Sequence, residues 1–155
     1  MSAERVAEAL LGWRVWRIAD ERLHAVVWGH EWPVRARFAA QCEDAPSALW
    51  GHGEPAEAHA APHWGCECGV YAFKHREAAE LLAREKVDGG TLVLGRVSLW
   101  GRVIESELGY RAEFAYPYDL FLLGGTDEEA HSLRRAYAVD VSLAPAVRQL
   151  HSGRG

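Results

Sequence analysis

The chain has 155 residues, a formal net charge of -5 and seven tryptophans. That length suits one domain with a substantial core, here residues 1–150 with a short tail over 151–155. The acidic balance means that any nucleic-acid contact needs a local basic face. No apolar run reaches membrane-spanning length, and the charged N-terminus lacks a signal-peptide pattern. The expected location is therefore cytoplasmic, with no membrane partner. Three cysteines, odd in number, argue for thiols or a metal rather than a disulfide framework.

In chain order, residues 2–11 suggest a short helix capped by Ser2 and ended by Gly12. Trp13–Ile18 alternates as a strand. Ala19-Asp20-Glu21 reads as the turn into a second strand over Leu23–Val27. A third strand is expected over Val34–Ala39, where Val34, Ala36 and Phe38 alternate with Arg35 and Arg37. Residues 43–64 carry no period and read as an irregular loop. Tyr71–Lys86 reads as a helix, with Ala72, Ala79, Leu82 and Ala83 facing inward. Asp88-Gly89-Gly90 ends it.

Thr91–Ile104 and Tyr110–Tyr116 form the clearest hairpin. Val97 and Leu99 share one face of its first strand; Arg96, Ser98, Trp100 and Arg102 share the other. Pro117 is expected to lead out of the hairpin. Thr126 and Glu129 make a capping box for a last helix over Asp127–Arg135. A final strand is expected over Ala136–Val141. Several antiparallel strands with two or three helices point to an α+β fold, a small and partly open antiparallel β-barrel. No internal repeat is present.

Two groups of residues carry candidate chemistry. Cys42, Cys66 and Cys68, with His63 or His59, match the ligand types of a closed structural zinc site. The spacing is not the common knuckle, because one residue separates Cys66 from Cys68. Without a metal, Cys42 is a small buried apolar residue and the histidines are solvated. The second group is Tyr71, Lys74, Trp100, Arg102, Tyr110 and Arg111. Aromatic rings stack on bases and basic groups contact phosphates. Lys74, placed in the first turn of the expected helix, would face an anion site at its N-terminus. In the plainer reading, Trp100 and Tyr110 are cross-strand partners and the arginines pair with Glu105, Glu107 or Glu113. No phosphate loop, nucleophile elbow or His-Glu-x-x-His motif occurs.

Two segments carry a resemblance. One is Cys66-x-Cys68-Gly69-x-Tyr71-Ala72-x-Lys74. The other runs Gly95-x-Val97-x-Leu99-Trp100-Gly101-Arg102-Val103-Ile104-Glu105, followed by Gly109-Tyr110-Arg111-Ala112-Glu113. They resemble small actinobacterial proteins with barrel domains similar to the PUA and SRA families. The resemblance implies a non-enzymatic reader of a modified base, 5-methylcytosine in DNA, held in a barrel pocket. A different class is a small metal-dependent enzyme or ligand-binding domain built on the Cys/His cluster. A third is an interaction domain that exposes its tryptophans.

Overall fold

The computed structural model describes residues 9–42, 60–87 and 89–148. Its first strand, β1, runs over Leu10–Ala19, and its partner β2 over Arg22–Ala25. The turn between them places Asp20 and Glu21 at positive φ (50° and 59°). That left-handed pair matches the right-handed twist of the flanking strands. Then come β3 (Phe38–Ala39), β4 (Val70–Phe73), helix α1 (Arg76–Glu85) and two long strands, β5 (Leu92–Glu105) and β6 (Gly109–Leu123). Helix α2 (Asp127–Tyr137) and β7 (Asp140–Ala144) complete the described residues.

The protein is thus mixed α+β, with one seven-stranded sheet and two helices among the described residues. Neither helix is long and apolar enough to cross a membrane. β1 pairs with β5, β5 with β6, β6 with β4, and β4 with β1 through Trp13 and Phe73. These four strands close a hydrogen-bonded ring. Trp16, Ala72, Val97, Leu99, Ala112 and Ala115 belong to one buried cluster, together with Trp32 and Tyr137. Arg14 lies over the Trp32 ring at 4.9 Å and donates to the Tyr71 carbonyl at 2.6 Å. Burial lowers the pKa of its guanidinium to about 10.

Several expectations are corrected. Leu10–Gly12 belongs to β1, while residues 2–8 lie outside the described set. Gly12 ends no helix: a Cβ there would come within 2.6 Å of the Ala72 Cβ, so it permits close approach of β4. The third strand shrinks to Phe38–Ala39 because Arg35 takes a left-handed conformation (φ 56°), which an extended strand cannot contain. The helix expected over Tyr71–Lys86 begins only at Arg76. Val70–Phe73 is rich in β-branched and aromatic side chains and pairs with β6 instead. Ala79 and Ala83 do face inward, and Ala72 is buried from the strand. Pro117 remains inside β6. The final strand starts at Asp140, since Ala136 and Tyr137 complete α2. It runs parallel to β6, so the sheet is not wholly antiparallel. The capping box of Thr126 and Glu129 is present as expected, and α2 ends at left-handed Ala138.

Two irregularities shape the hairpin. Between Trp100 and Val103, β5 carries one extra residue opposite Glu113. Gly101 sits there at φ +80°, and a Cβ would meet Glu113 and Phe114 at 2.7 Å. Such a bulge re-aims the side chains around it. The second lies on β6, where Arg96 pairs with Asp119 and Val97 with Pro117, leaving Tyr118 as the extra residue.

Candidate binding cleft and thiol cluster

The loop before β4 gathers the three thiols. The Sγ atoms of Cys42, Cys66 and Cys68 all lie within 4.8 Å of one another. Cys42 and Cys66 are 3.6 Å apart, and no disulfide joins the three cysteines. A disulfide needs sulfurs about 2.05 Å apart. A tetrahedral zinc site with Zn–S near 2.3 Å separates its sulfurs by about 3.8 Å. The observed spacing suits the second geometry, and the donor set suits a soft or borderline metal. Among the described residues, only sulfur belongs to this cluster. His63 does not join it, and its Nδ1 accepts the Gly65 N–H at 3.1 Å. His59 lies outside the described residues.

Arg111 holds this loop in place. Its Nη1 donates to the carbonyls of Cys66, Cys68 (2.9 Å) and His63 (3.4 Å). Its cross-strand neighbour Tyr71 donates its hydroxyl to the Glu67 carbonyl. Burial raises the Tyr71 pKa above its ordinary value. Both residues are therefore engaged with the main chain of the thiol loop.

Of the six residues expected to contact nucleic acid, Tyr71, Lys74, Tyr110 and Arg111 lie on or beside the β4–β6 pair, and Trp100 lies further along the β5–β6 hairpin. Tyr110 pairs with Glu105, and Trp100 with Phe114. Trp100 and Tyr110 are thus separated by about five strand residues, roughly 16 Å at 3.3 Å each. They are not cross-strand partners and cannot both stack on one base. Lys74 lies just before α1, not in its first turn. It pairs with Glu105 at 2.6 Å and stands 5.7 Å from the Tyr110 ring centre. That hydrogen bond raises its pKa. Arg102 is exposed; its backbone N–H donates to Glu113 at 3.0 Å.

Trp100 instead lines a cleft of about 390 Å³ with Arg35, Ala36, Arg37, Tyr116, Tyr137 and Ala138. The Arg37 guanidinium covers the Phe114 ring at 4.0 Å, and Phe114 lies tilted beside Trp100 at 6.1 Å. Arg35 donates its backbone N–H to the Tyr116 hydroxyl at 2.9 Å and its guanidinium to the Arg135 carbonyl at 2.9 Å. Tyr116 donates its own hydroxyl to the Tyr137 carbonyl at 2.7 Å. These bonds fix Arg35 in its left-handed conformation, which costs about 1–2 kcal/mol for a residue with a Cβ. Deeper in, the Tyr137 hydroxyl accepts from Leu23 N–H and donates to the Trp32 carbonyl, each at 2.8 Å. Burial raises its pKa.

Sequence reasoning named Trp100 but not its companions. The Arg35-Ala36-Arg37 spacing was visible, yet it read as the polar face of a strand. The left-handed turn at Arg35 and the return of β6 put these arginines and Trp100 on the lining of one cleft. Comparison of the chain with known protein families, curated proteins and solved structures finds no match.

Proposed function

We propose that this protein is a non-enzymatic nucleic-acid-binding module that receives a base in the Trp100 cleft. The observation that supports this most strongly is one open cleft lined by Trp100 together with Arg35 and Arg37. A nucleotide carries a flat ring and an anion, and this pairing matches both. On an acidic chain, the two arginines supply the local basic face that the overall charge does not. The ring of four strands supports, as a finer reading, a PUA- or SRA-like barrel. Through that resemblance the favoured ligand is DNA carrying 5-methylcytosine.

In the same reading, zinc occupies the thiol cluster as a structural ion. Cys42, Cys66 and Cys68 would hold it, and a histidine, His59 or His63, or another donor would complete the set. The ion would fix the loop against β4 and β6, with Arg111 and Tyr71 fastening the main chain around it. Zinc supplies no reaction step here.

Fluorescence-anisotropy titrations against matched duplexes, plain and carrying 5-methylcytosine, test the base-binding reading. Tighter binding to the methylated duplex, weakened by added salt, is the expected result. Binding to neither duplex, nor to single strands of the same sequence, would refute it.

A further inference from the structure

The three sulfurs are close together but not equivalent. Cys42 and Cys66 are half-buried, whereas Cys68 is buried. The Cys42 and Cys66 sulfurs are 3.6 Å apart, so a disulfide needs them to close by about 1.5 Å. A small oxidant reaches half-buried sulfurs before a buried one. Cys66 and Cys68 make the poorer pair, because Cys68 is buried and Glu67 alone separates them along the chain.

Both halves of the pair sit on main chain fastened to the same strand. Just before Cys42, the Ala40 N–H donates to the Glu113 carbonyl of β6 at 2.9 Å. Arg111, next but one to Glu113 on β6, donates to the carbonyls of Cys66 and Cys68. The Cys66 N–H donates to the His63 carbonyl at 3.1 Å. These bonds use main-chain groups and the Arg111 guanidinium, and no sulfur. The loop is therefore held near β6 whichever chemical state the sulfurs take.

We infer that Cys42 and Cys66 form a redox-sensitive pair, in which a disulfide and the zinc ion replace one another. The oxidant is hydrogen peroxide. One sulfur attacks a peroxide oxygen, the O–O bond breaks, and a sulfenic acid forms with release of water. The second sulfur then displaces the sulfenic oxygen as water, and the S–S bond closes. Two thiols and one peroxide give one disulfide and two waters; the sulfurs lose two electrons and the peroxide oxygens gain them. Where the sulfurs start as zinc thiolates, solvent supplies the two protons. A disulfide sulfur is no longer the thiolate that zinc binds, so Cys68 is left as the last thiolate of the cluster and the ion departs hydrated. The expulsion of the ion rests on the proposed zinc site; the disulfide does not.

The test treats the full chain, incubated with equimolar zinc, with a small excess of hydrogen peroxide. Released zinc is read with a chromogenic chelator and remaining thiols by alkylation. Cleavage after glutamate separates the cysteines, because Glu43 follows Cys42 and Glu67 stands between Cys66 and Cys68. Mass spectrometry of the unreduced peptides then identifies the link. The expected result is loss of two of the three alkylatable thiols, a Cys42–Cys66 link, and zinc released in step with it. A dithiol reductant should restore the thiols and zinc uptake. Cys42→Ser should abolish the link, and Cys68→Ser should keep it. A link between Cys66 and Cys68, or three thiols still alkylated in full, would overturn the pair. A Cys42–Cys66 link with zinc still bound would overturn the exchange. The same link in a chain that takes up no zinc would refute the zinc reading and uphold the redox pair.

Discussion

The thiol loop and the Trp100 cleft are held in shape by different means. In the loop, polar bonds to main-chain carbonyls come from Arg111 and Tyr71, two side chains at the edge of the core. The three sulfurs gather without a covalent link. At the cleft, order comes from the interior. Tyr137 is fully buried, ties Leu23 to Trp32, and through its carbonyl fixes Tyr116 and then Arg35. The first arrangement suits a region that an ion completes. The second suits a surface already in its binding shape, which loses little entropy when a ligand arrives.

Metal removal should separate the two regions most sharply. One zinc per chain is expected by elemental analysis, and a strong chelator or Cys68→Ser should release it. The midpoint of thermal unfolding should then fall by roughly 10 °C, the shift that about 3 kcal/mol produces in a chain of this size. A chain without metal, whose melting ignores chelators, would place the loop on the same footing as the cleft.

Tyr137→Phe strikes the cleft from beneath. It leaves the Leu23 N–H and the Trp32 carbonyl unpaired, at about 1–3 kcal/mol each, and should not release metal. Denaturant unfolding with a parallel metal assay checks both halves. Trp100→Ala should weaken nucleic-acid binding by about tenfold or more, the effect of removing one stacked base, with little change in unfolding midpoint. Arg37→Ala should lower the salt dependence of binding by about one counterion and weaken all sequences alike.

The smallest effect is alkaline. Tyr137 and Tyr71 both have folded-state pKa values raised by burial. Their contribution is complete below the unfolded value near 10 and is lost as pH rises through the folded values. Stability should therefore decline above pH ~10, and less steeply in Tyr137→Phe.

Local signals made part of this legible in the sequence. Alternation exposed the hairpin, because Val97 and Leu99 on one side of β5 really are buried. The capping box located the start of α2. The cysteine spacing led to a cluster that does form, although His63 is not drawn into it. What failed depended on partners far along the chain. Val70–Phe73 becomes a strand because β6 is there to pair with it, and residues 71–86 alone could not show that. The cleft was illegible for the same reason. Arg35 is held at the cleft through Tyr116 and Tyr137, and the bulge at Gly101 shifts the register of β5 against β6 just beyond Trp100.

The measurement that bears most directly on the account is a paired titration of the unmodified protein and Trp100→Ala. Methylated and plain duplexes would each be used at two salt concentrations. The account predicts salt-sensitive binding with preference for the methylated duplex, and loss of most of that preference in Trp100→Ala. Equal losses for both duplexes would remove Trp100 from the reading of the base. No binding by the unmodified protein at the lower salt would contradict the account.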